Sequence, residues 1–317
     1  MADKGLAASV VVPTYNRRAS LLRLLDSLDR QTLPADRFEV IVVDNNSHDD
    51  TVVRVAAWAS TARARLRCIS EPRQGAALAR NRGIDESAAP IVAFIDDDAE
   101  AEPAWLEQIL RGFDVYGADA IGGYTVAVWC ASLPAWWLPS YEHAFLRNWG
   151  GDPRRVSEEP FFYSQNLAVL RATLEALGGF DPQLGPKGSG HIVGEDLDLC
   201  RRIHERGGTL YYIPDAVVRH HVPPERLTRR FLRHRFYSRG MTQAILRRLR
   251  GNPLDLAYQA KQLASGLPSW LAANHATERF RRELTLWRIA GYLRTGLVLA
   301  LSHRGPDNRP DRREKAR

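Results

Sequence analysis

Short runs of apolar residues alternate with stretches of helical periodicity over the first third of the chain. The runs have the length of buried strands and lie at Ser9–Pro13, Glu39–Asp44, Arg67–Ser70 and Ile91–Asp96. The stretches between them either carry leucines at helical spacing or are rich in alanine, and they predict helices at Arg18–Gln31, Val52–Ala59 and Gly75–Asp85. The alternation predicts βαβ units around a mostly parallel sheet, with helices covering both faces.

Polar residues follow three of these strands at the point where each strand ends. The groups are Thr14-Tyr15-Asn16, Asp44-Asn45-Asn46-Ser47 and Asp96-Asp97-Asp98. Open α/β sheets bind ligands outside the carboxyl ends of their strands. The three groups therefore outline one site.

The pattern changes after Asp119. Residues 129–163 are rich in Trp and Pro and predict an irregular segment, whereas a helix is predicted to begin at Glu195 after a glycine-rich loop. Beyond Pro224 the chain becomes basic and helical. We therefore expect one domain over 1–224, with a nucleotide half of about 1–125 and an acceptor half of about 126–224, and a basic helical region over 225–317.

The net charge of +7 conceals an asymmetry between the two parts of the chain. Residues 1–215 hold 22 Lys+Arg against 30 Asp+Glu, whereas residues 216–317 hold 22 against seven. An acidic part is suited to a metal ion, and a basic part to an anionic surface such as lipid headgroups or nucleic acid. The alternative is that the arginines only solvate surface helices.

Composition and cysteine usage narrow the class of protein. Hydrophobic residues make up 44% of the chain, which excludes a disordered or fibrous protein. Cys68, Cys130 and Cys200 match neither a disulfide framework nor a C-x-x-C metal site, so we expect a reducing compartment. The start of the chain lacks the pattern of a secretory signal, and the apolar stretch Leu284–Leu301 is interrupted by arginines. We therefore expect a soluble or peripheral protein.

Two acidic clusters and a pair of histidines are candidates for chemistry. Asp96, Asp97 and Asp98 repel one another unless a cation balances them, which favours a Mg²⁺ or Mn²⁺ site over a simple helix start. Glu195 and Asp196 begin a helix, where one of them could serve as a general base or where both could only complement the helix dipole.

The adjacent histidines follow the apolar run Ala216–Val218. Neighbouring residues on an extended chain point to opposite faces, so one of His220 and His221 could face a metal ion while the other packs or is solvated.

Five motifs occur in order over residues 9–202. They read V-V-V-P-T-Y-N-R, V-I-V-V-D-N-N-S-H-D-D-T, G-A-A-L-A-R-N-R-G-I, V-A-F-I-D-D-D-A-E, and G-G-F-D followed by G-E-D-L-D-L. Together they closely resemble family 2 glycosyltransferases of the GT-A fold. This resemblance implies an α/β fold with a mostly parallel central sheet and flanking helices, to which the basic C-terminal region is added. The triplet Ser164-Gln165-Asn166 departs from the pattern of small residues before the Asn, which concerns only the acceptor side.

The resemblance also implies a role for individual residues. Asp196 would be the catalytic base with Glu195 beside it, and Asp98 would ligate a divalent ion, with His220 reaching the same ion and His221 as the fallback. The donor nucleotide would be bound by the strand ends and one arginine: Pro13, Thr14, Tyr15, Asp44, Asn46, Arg80, Asp96 and Asp97.

The expected activity is inverting transfer of a sugar from a nucleotide-diphosphate donor to the hydroxyl of a glycan, polysaccharide or lipid-linked acceptor, assisted by Mn²⁺ or Mg²⁺. We expect a cytoplasmic protein, peripheral at the inner face of the membrane through the arginine-rich helix over 225–250, and no nucleic-acid partner. The alternative is a non-catalytic scaffold of the same fold that binds membrane or nucleic acid. A dehydrogenase is disfavoured because no G-x-G-x-x-G follows the first strand.

Overall fold

The computed structural model describes residues 5–157, 161–186 and 192–301. The strands in these ranges are β1 Ala8–Thr14, β2 Phe38–Asp44, β3 Arg65–Ser70, β4 Ile91–Phe94, β5 Ala99–Ala101, β6 Ala120–Trp129, β7 Arg154–Arg155, β8 Leu167–Leu170 and β9 Leu210–Val222. The α-helices are α1 Arg18–Asp29, α2 Thr51–Ala59, α3 Ala76–Glu86, α4 Trp105–Tyr116, α5 Arg171–Leu177, α6 Glu195–Glu205, α7 Arg229–Leu249, α8 Leu256–Leu271 and α9 Ala276–Leu301.

The strands form one sheet in the order β3-β2-β1-β4-β8-β6-β9-β5, and β7 pairs with β9. Strands β1 to β4 are parallel, and every residue of β2 is buried. This confirms the predicted βαβ half of the molecule, since inner parallel strands are covered on both faces and are therefore mostly apolar. Strand β4 ends at Phe94 rather than at Asp96, so the acidic run lies in the turn between β4 and β5.

The remainder of the sheet is mixed. Strand β8 is antiparallel to both β4 and β6, whereas β6 and β9 are parallel with a shift in register after Gly123. The side chain of Asn166 joins these elements, because its amide nitrogen donates to the carbonyls of Tyr124 and Ala216 while its oxygen accepts from the indole of Trp105, each at 2.9 Å. Asn166 therefore fastens α4 to the β6–β9 pair, which is a structural role.

Helix α3 packs unusually close to the sheet. A side chain at Gly83 would place its Cβ 2.3 Å from Val11 of β1. Only glycine permits this approach, which holds α3 and its residue Arg80 against the strands.

The chain divides into two compact units. The first comprises Met1–Cys130, Phe145–Gly188 and Glu195–Val222, and the second comprises Ala131–Ala144, Ser189–Gly194 and Pro223–Arg317. The first unit contains the sheet with α1 to α6, and the second contains α7, α8 and α9. The predicted basic helical region therefore forms helices as far as Leu301, the last residue described.

Helices α7 and α9 of the second unit meet along their backbones. A Cβ on Gly240 would lie 1.8 Å from the carbonyl oxygen of Arg288, and one on Gly291 would lie 2.1 Å from that of Tyr237. The ion pair between Arg233 and Glu283 (2.6 Å) joins the same two helices. The apolar side of α7 is therefore used within this pair.

Helix α9 is long and apolar enough to cross a membrane by length and composition alone. Its most apolar window has a mean hydropathy of 1.2, and 28% of that window is buried within the protein. The length and composition of α9 are thus compatible with a membrane span. The arginines within Leu284–Leu301 argue against one.

Candidate functional site

The loops after β1 and β2 are hydrogen-bonded to each other at the carboxyl edge of the sheet. The amide of Asn45 donates to the carbonyl of Thr14 at 2.8 Å. The side-chain oxygen of Asn16 accepts from the amide of His48 at 2.7 Å, while the amide of Asn16 donates to the hydroxyl of Ser47 at 2.9 Å. The first two polar strand ends therefore lie together.

The residues assigned to the nucleotide from sequence surround this junction. Asp44 is buried, and its two carboxylate oxygens accept from the amide of Ser47 at 3.3 and 3.4 Å. Pro13 is half-buried at the end of β1, whereas Tyr15 and Asn46 are exposed. Asn46 has a positive φ of 66°, a conformation that Asn tolerates better than most residues. A buried carboxylate and an exposed rim thus lie at the same strand ends.

The third strand end carries two buried carboxylates that share one guanidinium. Asp97 accepts from the hydroxyl of Thr14 at 2.8 Å and from Nη1 of Arg17 at 3.0 Å. The same Nη1 donates to Asp98 at 2.7 Å. The acidic run is therefore balanced in this state by an arginine of the β1–α1 loop, as the repulsion between adjacent carboxylates requires.

Burial and charge act in opposite directions on these groups. Burial raises the pKa of Asp97 to about 6, because it outweighs the nearby positive charge of Arg17 and is reinforced by the charge of Asp98. Burial alone would lower the pKa of Arg17, but the carboxylates of Asp97 and Asp98 raise it above its ordinary value. The guanidinium is therefore firmly charged where it lies.

Arg80 connects the two acidic clusters. Its side chain is only 4% exposed, and it donates to Asp96 at 2.7 Å and to Glu195 at 2.9 Å. Burial alone would lower its pKa, yet the charges of Asp96 and Glu195, with that of Asp196, raise it. One buried cation on α3 therefore brings together carboxylates that lie about a hundred residues apart in sequence.

Glu195 and Asp196 are buried in the first turn of α6. The carboxylate of Asp196 accepts from the amide of Leu197 at 2.8 Å and from that of Ser164 at 3.4 Å. Further along the same helix, Asp198 forms an ion pair with Arg202 at 2.6 Å. Asp196 is thus held by backbone amides, and Asp198 has a structural partner.

The two histidines of β9 face different carboxylates. Nε2 of His220 lies 3.5 Å from Asp98, and His220 is buried. Nε2 of His221 lies 2.6 Å from Glu100. Pairing of β9 with β5 aligns Ala99 with His220 and so sets this alternation. Of the two histidines, the structure brings His220 to the acidic run.

The side chains near Asp98 suit a divalent cation that is shared with a ligand. Among the residues with described coordinates, no group of three or more His, Cys, Asp or Glu side chains is arranged to hold a metal ion. Asp98 and His220 supply one carboxylate and one imidazole, donors that Mn²⁺ and Mg²⁺ accept when phosphate oxygens complete the shell. The guanidinium of Arg17 on Asp97 and Asp98 shows that positive charge is accommodated there.

Two residues at the site were not assigned from sequence. Arg17 was visible only as the last letter of the first motif, and no spacing rule pointed to its contacts with the acidic run. Asn45 is buried, accepts from the amide of Gly75 at 2.8 Å, and donates to the carbonyls of Glu71 and Arg73. Its amide group therefore fixes the loop that leads into α3, the helix of Arg80.

Comparison with known proteins gives both sequence and structural relatives. The sequence model described as Glycosyl transferase family 2 matches residues 9–178, more than half of the chain. A protein of Haloferax volcanii named glucosyl-dolichyl phosphate glucuronosyltransferase is 29% identical over 245 residues, which are 76% of this chain and 77% of that protein. The succinoglycan biosynthesis protein ExoM of Rhizobium meliloti is 29% identical over 248 residues, which are 78% and 77%.

A solved structure shares the fold. The mannosyltransferase PcManGT from Pyrobaculum calidifontis, determined in complex with GDP-Man and Mn²⁺, superposes with a TM-score of 0.62 at 23% identity. The match covers 92% of this chain and 87% of that chain. None of these three proteins supports the alternative of a non-catalytic scaffold.

Proposed function

The protein belongs to glycosyl transferase family 2 and is a glycosyltransferase of the GT-A fold, and from this premise we propose that it transfers a sugar with inversion from a nucleotide-diphosphate donor to a hydroxyl acceptor. The observation that carries the proposal is the position of Arg80 between Asp96 and Glu195. It supports a single site in which the donor-side and acceptor-side carboxylates are neighbours.

The donor nucleotide is bound at the junction of the first two strand ends. Asp44 accepts a hydrogen bond from the base, and Pro13, Thr14 and Tyr15 line it, with Asn46 at the rim. Asp44 is buried and is in register with Thr14 at the end of β1, which supports this arrangement because it places the carboxylate beside these residues. Asp96 and Asp97 support the ribose and the metal site.

Asp98 and His220 would hold the divalent cation, Mn²⁺ or Mg²⁺. When bound, the cation supplies electrostatic stabilisation of the charge that develops on the leaving nucleoside diphosphate. Arg17 donates to Asp98 in this structure, so it would compete with a cation for that carboxylate, and its guanidinium would be available to the diphosphate when a cation is bound there. The Mn²⁺ in the PcManGT complex supports the use of a metal.

Asp196 is the general base, and Glu195 beside it shapes the acceptor site. As the acceptor oxygen attacks the anomeric carbon, the bond from that carbon to the phosphate oxygen breaks and the hydroxyl proton passes to Asp196. Displacement in a single step inverts the anomeric carbon. The two backbone amides that bind the Asp196 carboxylate support this role, because they fix its orientation.

The acceptor is a glycan or a lipid-linked saccharide. The names of the two relatives support this proposal, since one acts with a dolichyl phosphate sugar and the other in succinoglycan biosynthesis. A cytoplasmic enzyme at the inner face of the membrane would meet both nucleotide sugars and such acceptors.

The test is release of nucleoside diphosphate from a panel of UDP-, GDP- and dTDP-sugars, with and without Mn²⁺. We expect one donor to be hydrolysed slowly in a metal-dependent manner. With that donor, Asp196→Asn should lower turnover by about two to four orders of magnitude while donor affinity is retained. Asp215→Asn, an exposed residue of β9, is the matched control. Full activity of Asp196→Asn would exclude Asp196 as the base, and no release from any donor would contradict the proposed reaction.

A further inference from the structure

Helix α8 carries apolar residues on its exposed side as well as at the half-buried positions Leu256, Leu263 and Trp270. Its one buried residue is the amide Gln259, which bonds to Asp255 at 3.4 Å. The stripe formed by Ala260, Ala264, Leu267 and Leu271 follows helical spacing and is exposed. Leu267 and Leu271 are 42% and 65% exposed. An amphipathic helix on a soluble protein buries such a stripe, so this stripe faces a partner that is not protein core.

The last turns of α9 also carry exposed apolar residues. Leu297, Val298 and Leu301 are 52%, 61% and 80% exposed. On its inner side α8 packs against α9, where a Cβ on Gly266 would lie 2.9 Å from Leu286. We call the stripe of α8 together with these three residues of α9 the apolar face.

The charges of the second unit indicate which partner covers the apolar face. Residues 225–301 contain 15 Lys+Arg and four Asp+Glu. Three of the acids are paired with arginines, Asp255 with Arg247, Glu278 with Arg281 and Glu283 with Arg233. Helix α8 carries a single charged side chain, the exposed Lys261.

The last residues of the sequence also carry a net positive charge. Residues 302–317, which follow α9, add six Lys+Arg against three Asp+Glu. An apolar surface bordered by positive charge complements a bilayer that contains anionic lipid, where chains accept the apolar groups and headgroups accept the cations.

We propose that the apolar face of α8 and α9 lies in the headgroup region of an anionic membrane. This surface differs from the arginine-rich helix over 225–250 that the sequence pattern favours. That helix is α7, and its apolar side is already packed on α9, as Gly240 and Gly291 require. The inference is independent of the reaction proposed above, because it rests on exposure and charge in the second unit alone.

The experiment is flotation of the full chain with vesicles of phosphatidylcholine alone and of phosphatidylcholine mixed with phosphatidylglycerol. We expect binding to the anionic vesicles that weakens with added salt. Leu267→Glu with Leu271→Glu should lower the partition constant at least about tenfold, because two exposed leucines lose their contact with lipid and gain charge repelled by it. Val115→Glu, at an exposed apolar position of α4, is the control and should bind as the unaltered chain does.

Three results would overturn the proposal. The first is a wild-type chain that stays in the soluble fraction with both vesicles at low salt. The second is unchanged binding by the glutamate variant. The third is a wild-type dimer, by light scattering, that the same variant converts to a monomer, since a second copy of the chain would then cover the apolar face. Leu271→Gln is a milder change that should also reduce binding. It distinguishes a loss of lipid contact from a loss of folding.

Discussion

Arg80 offers the sharpest test of the site, because one buried side chain pairs with a carboxylate from each acidic cluster. Arg80→Met keeps an unbranched apolar stem in the buried position and removes the charged guanidinium. Glu195 is then buried without its partner, while Asp96, whose side chain is 30% exposed, stays partly hydrated. Breaking a buried pair costs about 3–5 kcal/mol, and the hydration of Asp96 places this case near ~3 kcal/mol. For a chain of 317 residues that is a fall in Tm of roughly 4–5 °C.

The matched control lies two residues along the same helix. Arg82 is 44% exposed and pairs with Glu86 at 2.8 Å, so Arg82→Met should cost at most about 0.5 kcal/mol. Thermal unfolding followed by circular dichroism compares the two variants. Adding Glu195→Gln to Arg80→Met should recover about half of the loss, because the uncompensated charge is removed. If Arg80→Met were no less stable than Arg82→Met, Arg80 would not be the electrostatic link between the clusters.

Three further predictions concern metal binding and the cysteines. Asp98→Ala should abolish the gain in donor affinity that Mn²⁺ gives in calorimetry; equal affinity with and without the metal in the unaltered enzyme would contradict the assignment. Arg17→Ala should bind Mn²⁺ about tenfold more tightly in the absence of donor at about pH 8, because no guanidinium competes for the carboxylates. Paramagnetic resonance of free Mn²⁺ measures this, and unchanged or weaker binding would refute it. Cys130 is exposed and should be alkylated faster than the other two cysteines, whereas burial raises the pKa of Cys200 to about 12 and that of Cys68 to about 11. Peptide mapping after iodoacetamide follows each thiol, and modification of Cys200 at the rate of Cys130 would contradict the burial argument.

The parallel half of the sheet could be predicted from sequence because β1, β2 and β4 are mostly apolar runs. This pattern is clearest in β2, in which every residue is buried. The antiparallel strand β8 could not be placed, since Leu167–Leu170 is short and its neighbours β4 and β6 lie far away in sequence. Local periodicity carries no information about which distant strands pair.

Some residues of the candidate site could likewise be predicted from the sequence, and others could not. The aspartates at the strand ends follow from the topology of an α/β sheet, and their neighbours along the chain follow from the motifs. Arg17 could not be assigned, because its role depends on the direction of a long side chain from a loop. The sequence could also not show that α7 packs against α9. That contact depends on Gly240 and Gly291, whose close approach to the facing backbone is visible only in the structure.

The backbone contact between α7 and α9 has a consequence for how the second unit would meet lipid. Many peptides that bind bilayers are unfolded in water and become helical at the surface, which costs conformational entropy at the moment of binding. Here two helices locked main chain to main chain hold α8 in its helical form beforehand. Association would then involve no coil-to-helix transition, and the far-ultraviolet spectrum of the protein would be the same with vesicles as without them.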